Sequence, residues 1–487
     1  MSDTLVEIAR RRAGRSDGKT VIDDLREGCS VDDSAVRRGF PRATVAGVRS
    51  FYEFLHDGPP HRCSGSACRF PGGGPGGRAG GPPAEGREVR CVGRCYQAPV
   101  VLEAGSFPVP RTSLAQPPIV FRHLLGPRPP LAELYALPEA DAILDILEHV
   151  GLRGRGGAAY PTAAKWRAAR AAHGAPKYVV ANGDEGDPGS FVDRLLLEED
   201  PHAILAGLQA CARAVGAVHA VVYIRAEYPR AAEVVGAAIV EARAAGVLER
   251  DLHVEVHVGA GSYVCGEETA LLRAIEGLRA EPNPKPPYPA QRGLFGKPTV
   301  VQNVETLAIV PELLRTQRRS STKAFSISGA VAVPAAVEAE LGTPLTELLE
   351  RGAGGARAGA RWKMALVGGP MGSVVPAAHF DDVKLGYDTF PRLGHGGIVV
   401  LDDDVAVRAL AEHLFSFATA ESCGACTPCR VGTSMLASRS DRSALERLLD
   451  TLEMGSMCGF GLGVPAPIRD LLKHFPDELF AGSAGDT

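Results

Sequence analysis

The middle of the chain alternates short apolar runs with longer amphipathic ones. The short runs are typical of strands and cover residues 177–182, 219–225 and 253–258. The longer runs have the apolar spacing of helices and cover residues 203–216, 229–246 and 267–277. Strands that alternate with helices favour a layered α/β domain, which we place at residues 131–318.

The flanking segments have other patterns. Residues 323–402 combine glycine-rich turns with short strands, which predicts a small α+β module, and residues 405–480 are helical. Residues 71–86 contain mostly glycine and proline, and they predict a loop without a helix or a central strand. The proline-rich residues 111–130 are interpreted as a linker. The predicted fold class is therefore α/β multidomain.

The charge balance excludes several classes of function. The 487 residues include 53 lysines and arginines against 57 aspartates and glutamates, so bulk charge would hold neither nucleic acid nor a membrane surface. No apolar run approaches the roughly 18 residues of a membrane span, and the first residues lack the apolar core of a secretory signal. We therefore expect a cytoplasmic protein without direct membrane insertion.

Most of the eleven cysteines fall into two groups with the spacing of metal ligands. In the C-terminal group, Cys423, Cys426 and Cys429 form a C-x2-C-x2-C motif, and Cys458 is a fourth candidate. Four thiolates complete a [4Fe–4S] site, with zinc as the alternative. In a cytosolic chain, such spacing favours metal or redox chemistry over disulfides.

The second group lies near the N-terminus. Cys63 and Cys68 form one close pair, and Cys91 and Cys95 form another. Two thiolates for each iron is the arrangement of a [2Fe–2S] cluster. Zinc, or a site that has lost its metal, is the alternative.

A glycine-rich segment, GLRGRGG at residues 151–157, precedes helical sequence that contains Lys165. Glycines let a backbone approach a ligand closely, and the start of the following helix would direct N–H groups at a phosphate. Arg153 and Arg155 add positive charge. Taken alone, the loop is equally well explained as a tight turn without a ligand.

Two further polar segments follow predicted strands. Residues 182–189, NGDEGDPG, begin where a strand ends, which is where α/β domains commonly bind ligands. Residues 259–270 carry two adjacent carboxylates, Glu267 and Glu268, at the start of a helix. These carboxylates either compensate the helix dipole or bind ribose hydroxyls and a nicotinamide amide.

Six ordered motifs carry a resemblance to a known family. They are GLRGRGGAAYPTAAKW, NGDEGDPGSFVDR, YIRAEYP, GAGSYVCGEETALLRAIEG, KPPYPAQRGLFGKPTVVQNVET and ESCGACTPCR. Over residues 130–475, the chain resembles the flavoprotein subunit of NADH dehydrogenases. This group includes the NADH-binding subunit of respiratory complex I and the diaphorase subunits of NAD-dependent hydrogenases and formate dehydrogenases.

The resemblance implies a set of cofactor-binding residues. Those expected around FMN and the nicotinamide are Gly154, Arg155, Gly156, Gly157, Lys165, Asn182, Asp184, Glu185, Gly266, Glu267, Glu268, Asn303 and Thr306. Tyr160 and Tyr288 match positions where aromatic rings stack on the adenine of NAD(H), and Lys285 would reach a phosphate. Lys165, Glu267 and Glu268 would be the catalytic residues. A further aromatic position of the family is occupied here by Ala168.

The resemblance also implies domains and chemistry. The cysteine pairs of residues 1–110 resemble those of a thioredoxin-like [2Fe–2S] domain, here shortened, and residues 323–402 resemble a ubiquitin-like β-grasp module. The helical residues 405–480 would hold the [4Fe–4S] cluster. NADH gives a hydride whereas clusters accept single electrons, so FMN would connect the two.

These features imply a diaphorase subunit that transfers electrons between NAD(H) and another subunit. The fused front domain is most similar to β-subunits of soluble NAD-dependent formate dehydrogenases, which implies a catalytic subunit with molybdenum or tungsten and leaves room for a further iron–sulfur subunit. Diaphorase subunits of NAD-reducing hydrogenases or of complex I-type NADH dehydrogenases are the alternatives. A non-catalytic scaffold or electron-storage protein is the alternative from another class, and the presence of Lys165, Asp184 and both adjacent glutamates argues against it.

Overall fold

The computed structural model describes residues 19–55, 61–64, 66–70, 87–91, 94–98, 108–437 and 441–480. The predicted glycine- and proline-rich loop at residues 71–86 lies outside them. In chain order, the described part consists of a front helical unit, a region with the N-terminal cysteines, a parallel sheet with its helices, a mixed sheet and a C-terminal helical group.

Three short helices begin the described chain: α1 (Val21–Arg26), α2 (Val31–Arg38) and α3 (Arg42–Phe51). Thr20 and Asp23 form a capping box at the start of α1, which satisfies N–H groups that the first helical turn leaves free. The buried Tyr52 follows α3, and its hydroxyl donates to the Leu278 carbonyl at 2.7 Å. This bond and shared apolar packing attach the front helical unit to the α/β domain.

The region with the N-terminal cysteines contains β1 (His61–Cys63), α4 (Ser66–Arg69) and β2 (Arg87–Val89). The strands β1 and β2 pair in parallel, with Cys63 opposite Val89, and they form a separate two-stranded sheet within the described residues. Parallel strands joined through a helix are compatible with a thioredoxin-like domain, whose identity stays a prediction.

The segment that we interpreted as a linker, residues 111–130, carries structure of its own: β3 (Arg111–Ser113) and α5 (Arg122–Leu125). Between them, the buried Glu338 carboxylate accepts hydrogen bonds from the N–H groups of Ile119, Val120 and Phe121 at 2.7, 3.0 and 2.9 Å. A side chain more than 200 residues away thus satisfies backbone donors that lie outside regular structure. The proline-rich pattern of this segment could not predict a contact with so distant a residue.

Four parallel strands form the central sheet: β4 (Tyr178–Gly183), β5 (His219–Ile224), β6 (His253–Val258) and β7 (Thr299–Asn303). Their spatial order is β6-β5-β4-β7. The inner strands β4 and β5 are buried apolar runs because helices cover both faces of a parallel sheet, whereas the edge strand β6 alternates exposed and half-buried residues. The three predicted strands are confirmed, and β7 adds a fourth.

Helices surround this sheet: α6 (Leu131–Leu134), α7 (Ala140–His149), α8 (Thr162–Ala171), α9 (Val192–Glu199), α10 (Pro201–Val215), α11 (Pro229–Ala244), α12 (Glu268–Ile275), α13 (Pro289–Arg292) and α14 (Val304–Thr316). The three predicted helices are confirmed as α10, α11 and α12, with ends that differ by one or two residues. Helices α10 and α14 approach each other most closely where Gly207 faces the backbone of Leu307.

The second sheet is mixed. The elements of this region are β8 (Thr322–Gly329), β9 (Ala335–Glu340), β10 (Thr343–Pro344), α15 (Leu345–Glu347), β11 (Trp362–Val367), β12 (Ser373–Pro376), β13 (Lys384–Leu385) and β14 (Gly397–Asp402). Six strands pair in the order β12-β11-β14-β8-β9-β3, with β14 parallel to β8. The predicted short strands are confirmed, but the sheet also includes β3 from the segment interpreted as a linker; the β-grasp assignment stays a prediction.

The C-terminal group is helical, as predicted. It contains α16 (Val407–Glu421), α17 (Thr427–Leu436), α18 (Arg442–Gly455), α19 (Gly459–Gly463), α20 (Pro465–His474) and α21 (Pro476–Leu479). Three of the C-terminal cysteines, Cys423, Cys426 and Cys458, lie between these helices, and Cys429 lies in the first turn of α17. Within the part of the chain that the structure describes, no helix is both long and apolar enough to cross a bilayer.

The contact between α10 and α14 leaves no room for a side chain at Gly207. A β-carbon there would lie 2.0 Å from the Leu307 carbonyl oxygen. We expect Gly207→Ala to lower the free energy of unfolding by about 1–3 kcal/mol, because the helices must move apart. Chemical denaturation measures the change. The control Gly236→Ala on α11 meets no atom within 4 Å and should keep or slightly raise stability. Equal losses in the two variants would contradict this packing.

Candidate functional site

A cavity of about 840 Å³ opens at the carboxyl end of the parallel sheet. Its size is in the range of cofactor sites. Most of the predicted cofactor-binding residues line it: Gly154, Gly156, Tyr160, Lys165, Asn182, Asp184, Glu185, Gly266, Glu267, Glu268, Lys285, Tyr288 and Asn303. Three others, Arg155, Gly157 and Thr306, do not line the cavity.

The glycine loop forms one wall of the cavity. A β-carbon on Gly156 would lie 3.0 Å from the Asn303 β-carbon, so the loop backbone passes close to the end of β7. Arg155 turns the other way: its buried guanidinium donates to the Thr322 carbonyl at the start of β8. The Arg155 N–H donates to the Thr306 hydroxyl at 2.9 Å. Arg155 and Thr306 therefore fix the loop from behind.

Two lysines and two glutamates form a charged ladder at the cavity wall. Lys165 Nζ lies 3.0 Å from Glu268 Oε2. Lys285 Nζ lies 2.8 Å from Glu268 Oε1 and 2.8 Å from Glu267 Oε1. Burial alone would raise the pKa of Glu268, but the two ammonium groups outweigh it and lower the pKa below its usual value. The ladder therefore offers a charged carboxylate between two cations.

The adjacent glutamates have different structural roles. Glu267 is the N-cap of α12, and its carboxylate accepts from the N–H groups of Thr269 and Ala270 at 2.8 and 2.9 Å. Glu268 makes no cap of this kind and pairs with the lysines instead. Glu267 therefore compensates the start of the helix, as the first alternative predicted, whereas the binding of a ribose or a nicotinamide by Glu268 stays a prediction.

Two tyrosine rings stand at the mouth of the cavity. Tyr160 and Tyr288 line it and remain 56% and 55% exposed. Exposed rings beside a cavity offer stacking faces for a planar group. Ala168 on α8 also lines the cavity, and its small side chain offers no ring for stacking at this position.

The inner end of the cavity is acidic. Burial raises the pKa of Asp184 well above its usual value. Asp187 accepts a hydrogen bond from the Tyr263 hydroxyl at 2.6 Å. Both carboxyl groups come from the segment that follows β4, which the sequence marked as a ligand-binding position.

The sequence patterns did not single out two lining residues, Asp193 and His395. Their side chains meet, with His395 Nε2 2.9 Å from Asp193 Oδ2. Asn303 Nδ2 donates to the same oxygen at 2.7 Å. Asp193 belongs to the NGDEGDPGSFVDR motif and could have been included on that ground. The only local signal for His395 is its place between glycines just before the buried strand β14.

The four C-terminal cysteines converge around the end of α16 and the starts of α17 and α19. Cys426 is the N-cap of α17 and Cys458 is the N-cap of α19, where helix dipoles favour thiolates. Burial raises the pKa of the Cys423, Cys429 and Cys458 thiols, and neighbouring thiols of the same group raise it further. Four converging sulfurs fit an iron–sulfur cluster. Cys458 also lines the cavity, so this site borders it.

The N-terminal cysteines also meet. Cys91 Sγ lies 3.6 Å from Cys95 Sγ. The pKa of the Cys63 thiol is raised well above its usual value, chiefly by hydrogen bonds with the thiols of Cys68 and Cys91 and also by burial. The group lies next to the segment after β4, because Arg225 donates both to the Cys91 carbonyl at 3.0 Å and to a carbonyl of that segment.

Two family matches cover the cavity and the C-terminal cysteines. Residues 147–312 match the Nuo51 FMN-binding domain. Residues 409–482 match the iron–sulfur binding region of NADH-ubiquinone oxidoreductase-F. The glycine wall, the charged ladder and the four converging thiols fit these groups. The protein therefore binds FMN, NAD(H) and a [4Fe–4S] cluster.

Relatives extend the similarity over most of the chain. The F 2 subunit of NADH-quinone oxidoreductase of Rhizobium meliloti (strain 1021) is 39% identical over 373 residues, which are 70% of this chain and 88% of that protein. The HndC subunit of the NADP-reducing hydrogenase of Solidesulfovibrio fructosivorans is 37% identical over 383 residues, 72% of this chain and 78% of that protein. The crystal structure of NAD+-reducing [NiFe]-hydrogenase in the H2-reduced state has a TM-score of 0.81 and 29% identity, covering 98% of this chain and 92% of that one. The chain belongs to the family of NADH-binding flavoprotein subunits of complex I and related diaphorases.

Proposed function

We propose that the chain is the diaphorase subunit of an NAD-dependent formate dehydrogenase, in which it passes electrons between NAD(H) and a molybdenum- or tungsten-containing partner. The observation that carries the electron-transfer role is the shared boundary of two sites: Cys458, a proposed cluster ligand, lines the same cavity as the charged ladder. A cofactor in the cavity would therefore lie beside the cluster.

The chain's own residues divide the work of binding. The backbone of the glycine loop would approach the flavin, and Lys165 and Lys285 would hold phosphate oxygens as point charges. Glu268 would accept hydrogen bonds from ribose hydroxyls, and the two lysines keep its carboxylate ionised because they lower its pKa. Tyr160 and Tyr288 offer faces for the adenine. When bound, FMN accepts a hydride from NADH and releases the electrons singly.

We also infer that the N-terminal cysteines hold a [2Fe–2S] cluster in a shortened thioredoxin-like domain. Support comes from the two thiol pairs and from their burial: Cys91 and Cys95 are nearly inaccessible, which suits a cluster shielded from solvent. Arg225 links the Cys91 carbonyl to the segment that follows β4. This cluster would lie next to the inner end of the cavity.

Glu268 supplies a test of the NADH-binding role. We expect Glu268→Gln to raise KM for NADH about tenfold, or ~1.4 kcal/mol, because an amide is a weaker acceptor for ribose hydroxyls and leaves Lys165 without its carboxylate partner. NADH–ferricyanide kinetics measure KM, and absorption spectra measure the flavin content, which should not change. The control is Glu148→Gln, whose carboxylate pairs with Arg167 at the exposed surface. An unchanged KM in Glu268→Gln would remove this role.

Cys91 supplies a test of the front cluster. We expect Cys91→Ser to abolish a [2Fe–2S] electron paramagnetic resonance signal and to lower the iron content by two atoms per chain, because a serine hydroxyl is a poor iron ligand. NADH–ferricyanide activity should remain, since Cys91 does not line the cavity. Cys29→Ser, outside both cysteine groups, is the control. A wild-type protein with zinc in place of this signal would show the assignment to be wrong.

The partner has a second candidate. The similarity to NAD+-reducing [NiFe]-hydrogenase covers 98% of this chain, including the front region. This observation favours a hydrogenase partner as the alternative to formate dehydrogenase. Both partners would use the same cavity and the same C-terminal cluster, so the diaphorase chemistry is common to them.

The activity of the complex purified from the native host would identify the partner. We expect anaerobic purification from the native host to yield a complex that reduces NAD+ with formate and contains molybdenum or tungsten. Metal analysis and NADH absorbance measure both properties. Hydrogen-dependent NAD+ reduction without formate activity would assign the chain to the hydrogenase group. NADH–ferricyanide turnover with neither activity would contradict both partners and leave the diaphorase role intact.

A further inference from the structure

Three buried titratable side chains meet at the inner wall of the cavity. The resemblance placed one of them, Glu185, among the cofactor-binding residues, but the contacts proposed above for FMN and NAD(H) use none of the three. Glu185, Asp193 and His395 are 2%, 1% and 8% exposed. One polar atom from each lies within 4.8 Å of the other two, and all three residues line the cavity. We call these residues the inner triad.

One proton of the inner triad is fixed by geometry. His395 Nε2 lies 2.9 Å from Asp193 Oδ2, and because two acceptors at that distance need a proton between them, the pair shares one proton. The other Asp193 oxygen, Oδ1, accepts from the Glu305 N–H at 3.1 Å. Asn303 Nδ2 also donates to Oδ2 at 2.7 Å. His395 and Asp193 thereby hold Asn303, a lining residue, in one orientation.

The protonation of the Glu185 carboxyl group, the third member of the inner triad, is not fixed by geometry. His395 Nδ1 lies 3.3 Å from Glu185 Oε1 and has no hydrogen-bond partner among the described residues. Glu185 accepts from the N–H groups of Val192 and Arg194 at 2.8 and 3.1 Å and from the Tyr228 hydroxyl at 3.1 Å. The Glu185 carboxyl group beside Nδ1 is either ionised or protonated. The two states differ by one unit of buried charge beside the cavity.

We propose that the inner triad is a proton site coupled to reduction of the flavin, holding one more proton when the cofactor in the cavity is reduced than when it is oxidised. The inference rests on FMN occupying this cavity. A hydride from NADH brings two electrons and one proton, which adds one negative charge to the cavity. A proton from solvent, taken up by the Glu185 carboxylate beside His395, balances that charge and is released when the electrons leave.

The charges around the inner triad support a proton that titrates near neutral pH. Burial, as the larger cause, and the negative charge of Asp193, as the smaller one, raise the pKa of Glu185 to about 7. Burial alone would lower the pKa of His395, but Asp193 and Glu185 outweigh it and raise that pKa to about 9. The charged groups that face His395 from neighbouring elements are Asp193 on α9, Glu185 and Asp187 after β4, and Lys323 on β8, which pairs with Glu305 on α14. An added negative charge in this low-dielectric wall favours proton uptake.

The proposal predicts how the flavin midpoint potential depends on pH. Between about pH 7 and 9, the wild type should take up two protons for each two electrons, so the slope is twice that of a one-proton couple. His395→Gln should return to the one-proton slope with flavin still bound. Glutamine can still donate to Asp193, whereas Glu185, without the opposing imidazolium, keeps its proton in both redox states.

Spectroelectrochemical titration of the FMN-loaded full chain, with chemical mediators in place of NADH, measures this slope. The control is His123→Gln. His123 is also buried and pairs with an aspartate, Asp200, at 3.1 Å, but it does not line the cavity, and its variant should keep the wild-type slope. Equal slopes in His395→Gln and wild type would overturn the proposal. Loss of NADH turnover alone would count against the proposed function and leave this titration readable.

The wild type decides the outcome even if His395→Gln does not fold or bind flavin. A one-proton slope in the wild type across about pH 7–9 would overturn the proposal without any variant. The absorption spectrum of the bound flavin reports occupancy of the cavity in every sample. Direct measurement of proton uptake with a pH indicator, on mediator-driven reduction of the wild type, should agree with the two-proton slope.

Discussion

The pairing of β4 with β7 is the constraint on which the cavity depends. Asn182 and Asn303 are register partners at the carboxyl ends of these strands, so both polar side chains reach the cavity from one edge of the sheet. Asn303 also caps α14 through the Thr306 N–H and binds Asp193. A shift of β7 by one residue would turn Asn303 to the opposite face of the sheet, away from Asn182 and Asp193.

Charge compensation keeps the cavity polar without leaving ions unpaired. Lys165, Lys285, Glu267 and Glu268 come from three separate segments and neutralise one another at the wall. Half-buried ions without partners would be costly, and the cost is lowest when each ion has an opposite charge within a few ångströms. The same pairing prepares the site for a phosphorylated cofactor, because phosphate oxygens can replace a carboxylate at Lys165.

The two cysteine groups flank the cavity from different directions. Cys458 belongs to the C-terminal helices and lines the cavity directly. Arg225 connects Cys91 to the inner end of the cavity, because its guanidinium donates to the Cys91 carbonyl and to the Glu185 carbonyl. The Glu185 side chain in turn faces His395. The segment after β4 therefore connects the front cysteines, the cavity and the inner triad in a few residues.

The sequence by itself determined the strands β4 to β6, the helices α10 to α12 and both cysteine groups, because periodicity and spacing are local properties. Most of the residues that line the cavity also lie within the motifs that the sequence singled out. Only the tertiary structure decided that Arg155 turns away from the cavity and that residues 111–130 join the mixed sheet. It alone brought His395 to Asp193, 202 residues apart, because that contact depends on how the mixed sheet packs against α9 and no local pattern records it.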